Sequence, residues 1–186
     1  MTASAPASPI RLFTADEVDA MVRAGILGED EPLELLEGVL ETMSPQGDDH
    51  AWILEELADR MRLAYPQHRM REQKQLNAGE DSRPEPDIAI VRGARIKGQR
   101  AHPLGADAIL VVEVSVSTLE RDHRKASVYG RAGVPVLWIL DVEGRRLEVH
   151  TDPGPEGYGV VTLLSEHKDV SVPETDLRWK IADLLG

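Results

Sequence analysis

Apolar residues fall along the chain in runs and periodic stretches that predict an α/β domain. The runs 87–91 and 108–114 are almost wholly apolar and rich in β-branched residues, and 134–141 is a third such run. Runs of this kind are typical of strands buried on both faces. Between the second and third runs, residues 118–132 carry apolar side chains at helical spacing, and Gly133 ends the predicted helix. Strand, helix and strand in this order predict a right-handed crossover between parallel strands.

The flanking segments add helices and further strands. Thr14 followed by Glu17 is the signature of a capping box and predicts a helix that begins at Thr14 and ends at Gly25. A second helix is expected from about His50 to Tyr65, capped by Asp48 or Asp49. Strands or hairpins are expected in four more segments, 33–42, 69–76, 146–150 and 158–164. The pattern therefore predicts a mixed sheet, parallel at its centre, antiparallel toward the C-terminal edge and flanked by helices.

Size and composition favour one domain. The chain has 186 residues, 41% of them hydrophobic, which suits a single sizeable core. We expect one domain over residues 12–186. Residues 1–11 should form a disordered tail, because the start of the chain consists mainly of small residues and contains prolines. Because cysteine is absent, disulfides and thiolate zinc sites are excluded. No apolar run is long enough to span a membrane and no signal peptide is evident, so we expect a cytoplasmic protein.

The charge distribution changes what the net charge of −12 suggests. Such acidity argues against a nucleic-acid partner, since phosphate binding usually needs a basic face. Residues 1–60 carry 14 acids and 3 bases, but residues 61–146 carry 15 bases and 11 acids. Four bases of this middle part fall in one predicted loop: Arg92, Arg95, Lys97 and Arg100. They are candidate phosphate contacts for DNA, and a solvated loop of mixed charge is the alternative.

Two carboxylates lie at the ends of predicted buried strands. Asp87 opens the first run after a Pro-Glu-Pro breaker, and Glu113 lies near the end of the second. An ionised carboxylate in such a strand is costly unless it is paired or binds a cation. Two neighbouring carboxylates become tolerable with a metal ion between them, and Mg²⁺ in phosphoryl-transfer sites is often held this way. The pattern predicts a site for Mg²⁺ or Mn²⁺.

A lysine on the predicted crossover helix can reach the same site. The first turns of this helix should overlie the end of the Glu113 strand, and Lys125 and Tyr129 share one helix face. Lys125 can then approach the Glu113 carboxylate. An ammonium there can orient an attacking water and neutralise charge that develops on phosphate.

Several segments match a known family in their order and spacing. They are Leu33-Glu34-Leu35-Leu36-Glu37-Gly38, Met43-Ser44-Pro45 with His50, Pro86-Asp87, Glu113-Val114-Ser115 with Ser117-Thr118, Lys125 to Tyr129, and Ala132-Gly133-Val134 with Trp138 to Asp141. Over residues 12–185 the chain resembles the Uma-two family of restriction-endonuclease-like proteins, in the PD-(D/E)xK nuclease superfamily. The resemblance implies a restriction-endonuclease-like α/β core.

The resemblance also implies roles for individual residues. Asp87 and Glu113 would be metal-binding acids, Glu34 a further acid at the metal, and the Val114 carbonyl a candidate ligand. Glu34 could instead be a surface residue of an edge strand.

By this resemblance, Lys125 would be the basic residue of the site. In the superfamily pattern the lysine lies two residues after the second acid, where this chain has Ser115, so Lys125 would replace it from the helix. His50 would contact phosphate or orient Glu34. The alternatives are an exposed helix lysine and a structural histidine at a helix start.

Two functions remain open from the sequence. The first is a Mg²⁺-dependent endonuclease that cuts DNA by attack of a metal-activated water, in which case cutting both strands would favour a homodimer. The second is a catalytically inactive nuclease-fold protein that binds nucleic acid or a protein partner. Fold resemblance does not separate them, because function depends on the site.

Overall fold

The computed structural model describes residues 10–28, 30–43, 46–95, 97–98 and 101–186. The helices are α1 (Ala15–Arg23), α2 (Asp48–Ala64) and α3 (Leu119–Arg131), with short 3₁₀ helices at Gly105–Asp107 and Ile181–Leu184. The strands are β1 (Leu33–Leu36), β2 (Val39–Thr42), β3 (Arg69–Glu72), β4 (Ile88–Val91), β5 (Ala108–Ser115), β6 (Leu137–Asp141), β7 (Arg146–Gly154), β8 (Gly157–Ser165), β9 (Asp169–Ser171) and β10 (Arg178–Lys180). Most of the predicted tail, residues 1–9, lies outside the described residues.

A six-stranded mixed sheet forms the centre of the molecule, in the order β3-β4-β5-β6-β7-β8. Strands β5 and β6 are parallel and α3 connects them, which confirms the predicted crossover. The other neighbouring strands are antiparallel, including β3, β4 and β5, so parallel pairing is confined to one strand pair. Hairpin β1-β2 and the pair β9-β10 form two small sheets beside it.

The core consists of two apolar clusters, one on each face of this sheet. One cluster includes α2 residues such as Leu57 together with Val112 of β5, and the other includes α3 residues such as Tyr129 together with Val111. Because successive side chains of a strand point to opposite faces, Glu113 shares the face of Val111 and lies under α3. The strand period therefore determines which helix covers the Glu113 carboxylate.

The structure confirms one predicted helix cap and contradicts another. Thr14 and Glu17 form the predicted capping box at α1. The predicted Asp48 or Asp49 cap of α2 is wrong, because Gly47 is the N-cap and makes no side-chain cap bond. Both acids lie in the first turn instead, where the partial positive charge of the helix N-terminus stabilises them. Among the described residues, we find no helix whose length and apolarity would suit a membrane span.

Candidate active site

A cleft of about 720 Å³ opens at the sheet end where β4 begins and β5 ends. These two strands are antiparallel with Ile88 opposite Val112, so the residue before Ile88 and the residue after Val112 lie at the same end. Asp87 and Glu113 are those residues, and both line the cleft. Hairpin β1-β2, the start of α2 and the first turns of α3 form the remaining walls. The topology thus brings together acids that are 26 positions apart in the sequence.

Asp87 is held by one backbone bond and one histidine. Its Oδ2 accepts a hydrogen bond from the Val114 N–H at 2.7 Å and lies 3.1 Å from His50 Nε2. Val114 lies beyond the point where β4 begins, so its N–H is free to bind the Asp87 side chain. His50, in the first turn of α2, therefore contacts Asp87 and not Glu34.

Glu113 receives two donors from α3. Lys125 Nζ lies 2.7 Å from Glu113 Oε1, and the Tyr129 hydroxyl donates to the same oxygen at 2.6 Å. All three side chains are buried, with Lys125 5% exposed. The alternative in which Lys125 is an exposed helix lysine is therefore wrong.

Three oxygen atoms surround the Lys125 ammonium. Besides Glu113, the ammonium lies 3.1 Å from Glu34 Oε1 and donates to the Glu85 carbonyl at 3.1 Å. Glu34 also accepts from Arg121 at 2.7 Å and from the Glu85 N–H at 2.6 Å. Glu34 is 1% exposed, so it is not a surface residue of an edge strand. Lys125 thereby links the acids of β1 and β5 and the backbone before β4.

Burial sets the electrostatics of this network. Burial raises the pKa of Glu113 to about 8, the charge of Lys125 opposes the rise, and Asp87 adds to it. Burial alone would lower the pKa of Lys125, but the carboxylates of Glu113 and Glu34 raise it above its ordinary value. The hydrogen bond to Asp87 raises the pKa of His50, against the effect of burial. Lys125 therefore carries its charge at neutral pH.

The structure adds three polar groups that the sequence interpretation did not use as site residues. Arg121 pairs with Glu34, the Glu85 backbone binds both Lys125 and Glu34, and Asp122 accepts from the Thr118 hydroxyl at 2.7 Å in the cleft wall. Arg121 lies four residues before Lys125, which on a helix places the two bases on one face. That spacing is a signal that could have identified Arg121.

The donor chemistry of the cleft suits a hard divalent cation. Carboxylate oxygens of Asp87 and Glu113 and the backbone carbonyl of Val114 are ligands of the kind Mg²⁺ takes, with waters completing its coordination. In the part of the chain that the structure describes, no group of three or more acidic or histidine side chains is arranged to hold a metal ion. Both oxygens of Glu34 bind donors, whereas the donors found among the described residues contact only Oε1 of Glu113 and only Oδ2 of Asp87. The donor set therefore fits a site with two carboxylates.

The described bases of the 92–100 loop do not line this cleft. Arg92 follows β4 at the end opposite Asp87, and its guanidinium donates to both carboxylate oxygens of Glu174 at 2.6 and 2.7 Å. Arg92, Arg95 and Lys97 are absent from the described lining of the cleft. Arg100 lies outside the described residues.

Comparisons with known proteins agree with this architecture. The model of the Uma2 family, described as "Putative restriction endonuclease", matches residues 16–182. A crystal structure of a putative nuclease belonging to DUF820, from Anabaena variabilis, superposes with a TM-score of 0.72 and 21% identity, covering 93% of this chain and 97% of that one. At this identity the superposition shows a shared fold. No curated protein matches the chain.

Proposed function

The chain belongs to the Uma2 family of putative restriction endonucleases, and on that premise we propose that it is a metal-dependent nuclease that hydrolyses phosphodiester bonds of DNA. The observation that carries the proposal is the buried pair of Lys125 and Glu113, 2.7 Å apart at the floor of a cleft that also contains Asp87. A buried charge pair contributes little net stability against apolar residues of the same volume. Its place in a cleft, with perturbed pKa values, favours a functional role.

Lys125 is the residue we assign to the chemical step. Its ammonium stays charged and lies within 3.1 Å of three oxygen atoms, of which the Glu85 carbonyl is the one that does not belong to a carboxyl group. Hydrogen bonds to carboxylates are stronger than those to a neutral carbonyl. An incoming phosphate oxygen can therefore replace the Glu85 carbonyl most easily, and the ammonium then stabilises charge that develops on the phosphate.

Asp87, Glu113 and the Val114 carbonyl would hold the cation. A bound divalent ion would supply Lewis acidity toward the phosphate and a coordinated water of lowered pKa. His50 holds the Asp87 carboxylate in place from α2, and Tyr129 holds Glu113 from α3. These two residues act by positioning the acids.

The charge of the cleft supports a need for metal. Seven acidic side chains line it against two basic ones, Arg121 and Lys125. A polyanion is repelled by such a surface unless positive charge is added. DNA binding at this cleft should therefore depend on a divalent cation.

The test is cleavage of plasmid and linear DNA with and without Mg²⁺ or Mn²⁺. We expect cleavage that requires the cation and is lost in Asp87→Asn and Glu113→Gln, with Lys168→Gln as a control because Lys168 is exposed and does not line the cleft. Conversion of supercoiled plasmid directly to the linear form, rather than to nicked circles, would indicate two copies of the chain acting together. DNA binding without cleavage would support the inactive alternative. Equal cleavage by the wild type and both variants would overturn the site assignment.

A further inference from the structure

A second pocket, of about 450 Å³, adjoins the cleft. Glu85 lines both, and the segment after β3 passes between them, with Gln73 in the cleft wall and Lys74 and Gln75 in the second pocket. Gln73 has a φ of +48°, a left-handed conformation that is uncommon for a residue with a side chain. The fold thus maintains a strained turn at the boundary between the two pockets.

The second pocket is richer in basic than in acidic side chains, unlike the cleft. Its charged and titratable lining consists of Arg23, Arg71, Lys74, Arg83 and His102, with Asp19, Glu31 and Glu85. Across the described ranges, no ion pair involves Arg71, Lys74 or Arg83, although arginines elsewhere pair with acids. One terminal nitrogen of Arg83 donates to Asn77 and to two backbone carbonyls, and these neutral acceptors do not cancel its charge.

Arg71 is the central base of this pocket. One terminal nitrogen donates to the Gln75 carbonyl at 3.1 Å, while its buried Nε lacks a hydrogen-bond partner among the described atoms. Burial lowers the pKa of Arg71, and Glu85 opposes that effect. Burial also lowers the pKa of His102, with the charges of Arg71 and Arg83 adding to the effect. A half-buried guanidinium without a carboxylate partner is suited to an anion with oxygen acceptors.

We propose that the pocket around Arg71 and Lys74 binds a backbone phosphate of the DNA strand beside the scissile position. This inference rests on the proposed nuclease function and adds a substrate contact to it. The acidic cleft repels a polyanion, so DNA needs a positive anchor close by, and this pocket adjoins the cleft through Glu85. Contacts to phosphate oxygens position the duplex without reading its sequence.

The experiment measures the affinity of a short DNA duplex by fluorescence anisotropy, across salt concentrations and in the presence of Ca²⁺, which takes the same oxygen ligands as Mg²⁺. The double variant Arg71→Gln/Lys74→Gln is compared with Lys168→Gln/Arg178→Gln, which removes equal charge from exposed residues near β9 and β10. We expect the pocket variant to bind at least about tenfold more weakly and to lose about one unit of log-log salt slope for each phosphate contact. The control should keep the wild-type slope.

Single variants distinguish the loss of a phosphate contact from a folding defect. Lys74→Gln alters an exposed side chain and should lower the slope by about one, while Arg71→Lys keeps the charge and should retain more affinity than Arg71→Gln. Unchanged affinity and slope in the pocket variant, or an equal loss in the control, would overturn the inference even if the wild type cleaves DNA. Pocket-dependent binding without cleavage would retain the phosphate contact and reject the nuclease function.

Discussion

The ammonium of Lys125 on α3 lies 2.7 Å from Glu113 Oε1 on β5, and both groups are buried. The two residues are twelve positions apart and belong to consecutive elements of the crossover. Their contact holds α3 against the end of β5, beside Asp87, the residue that precedes β4. The same pair therefore lies at the candidate site and joins α3 to the central sheet.

Removing the ammonium should destabilise the protein in a pH-dependent way. Lys125→Met removes the cationic partner of the buried Glu113, which we expect to cost about 3 kcal/mol near pH 9.5, where the wild-type carboxylate is ionised. The cost should be smaller near pH 6, because Glu113 then carries a proton. Urea unfolding at the two pH values tests this, with Lys168→Met expected to stay within about 0.5 kcal/mol of the wild type. A cost that is small and equal at both pH values would contradict the buried ion pair.

The titration of Glu113 should lower stability as pH rises. The unfolded chain loses this proton near 4.5, whereas the folded protein holds it to about 8, so the folded state binds more protons in between. The contribution of Glu113 to stability is therefore largest below the lower pKa and is lost through the upper one. Glu113→Gln removes this dependence, so its stability relative to the wild type should increase from about pH 5 to about pH 8. A difference that stays constant across this range would refute the raised pKa.

Tyr129→Phe removes the hydroxyl that positions Glu113 and keeps the ring that packs in the core. The hydroxyl donates to Glu113 Oε1 at 2.6 Å, while the ring is fully buried in the cluster under α3. Loss of this hydrogen bond from a buried carboxyl oxygen should cost about 1–3 kcal/mol without creating a cavity. We expect a lower midpoint in urea and unchanged affinity for Mn²⁺, measured by calorimetry, since Tyr129 does not line the cleft. Loss of Mn²⁺ binding would show that the hydroxyl does more than hold Glu113.

Neutralising the 92–100 loop should affect DNA binding less than neutralising the Arg71 pocket. Arg92 is already paired with Glu174 at the far end of β4, so its charge is partly cancelled. The variant with Arg92, Arg95, Lys97 and Arg100 changed to Gln should keep a salt slope close to that of the wild type. A fall of about one unit for each residue would instead make this loop the phosphate-binding surface.

The sequence predicted those features that local periodicity controls. Alternating and continuous apolar runs identified the strand ends that carry Asp87 and Glu113, and the helical spacing placed Lys125 above them. Pairs between distant segments left no local signal. Arg121 with Glu34 and Arg92 with Glu174 are joined only by the tertiary fold, over separations of 87 and 82 residues. This is why the charge count alone could not show which bases are already paired with acids.

Single-turnover cleavage of DNA by Lys125→Ala, measured beside calorimetric Mn²⁺ binding, tests the central claim most directly. An ammonium does not ligate the cation, so metal binding should survive, while the cleavage rate should fall on the order of a hundredfold, as for loss of a positioned electrostatic group. Thermal unfolding of the same preparation confirms that the variant is folded at the assay temperature. A folded Lys125→Ala protein that binds Mn²⁺ and cleaves as fast as the wild type would contradict the account, and Lys125 would then only pack α3 against the sheet.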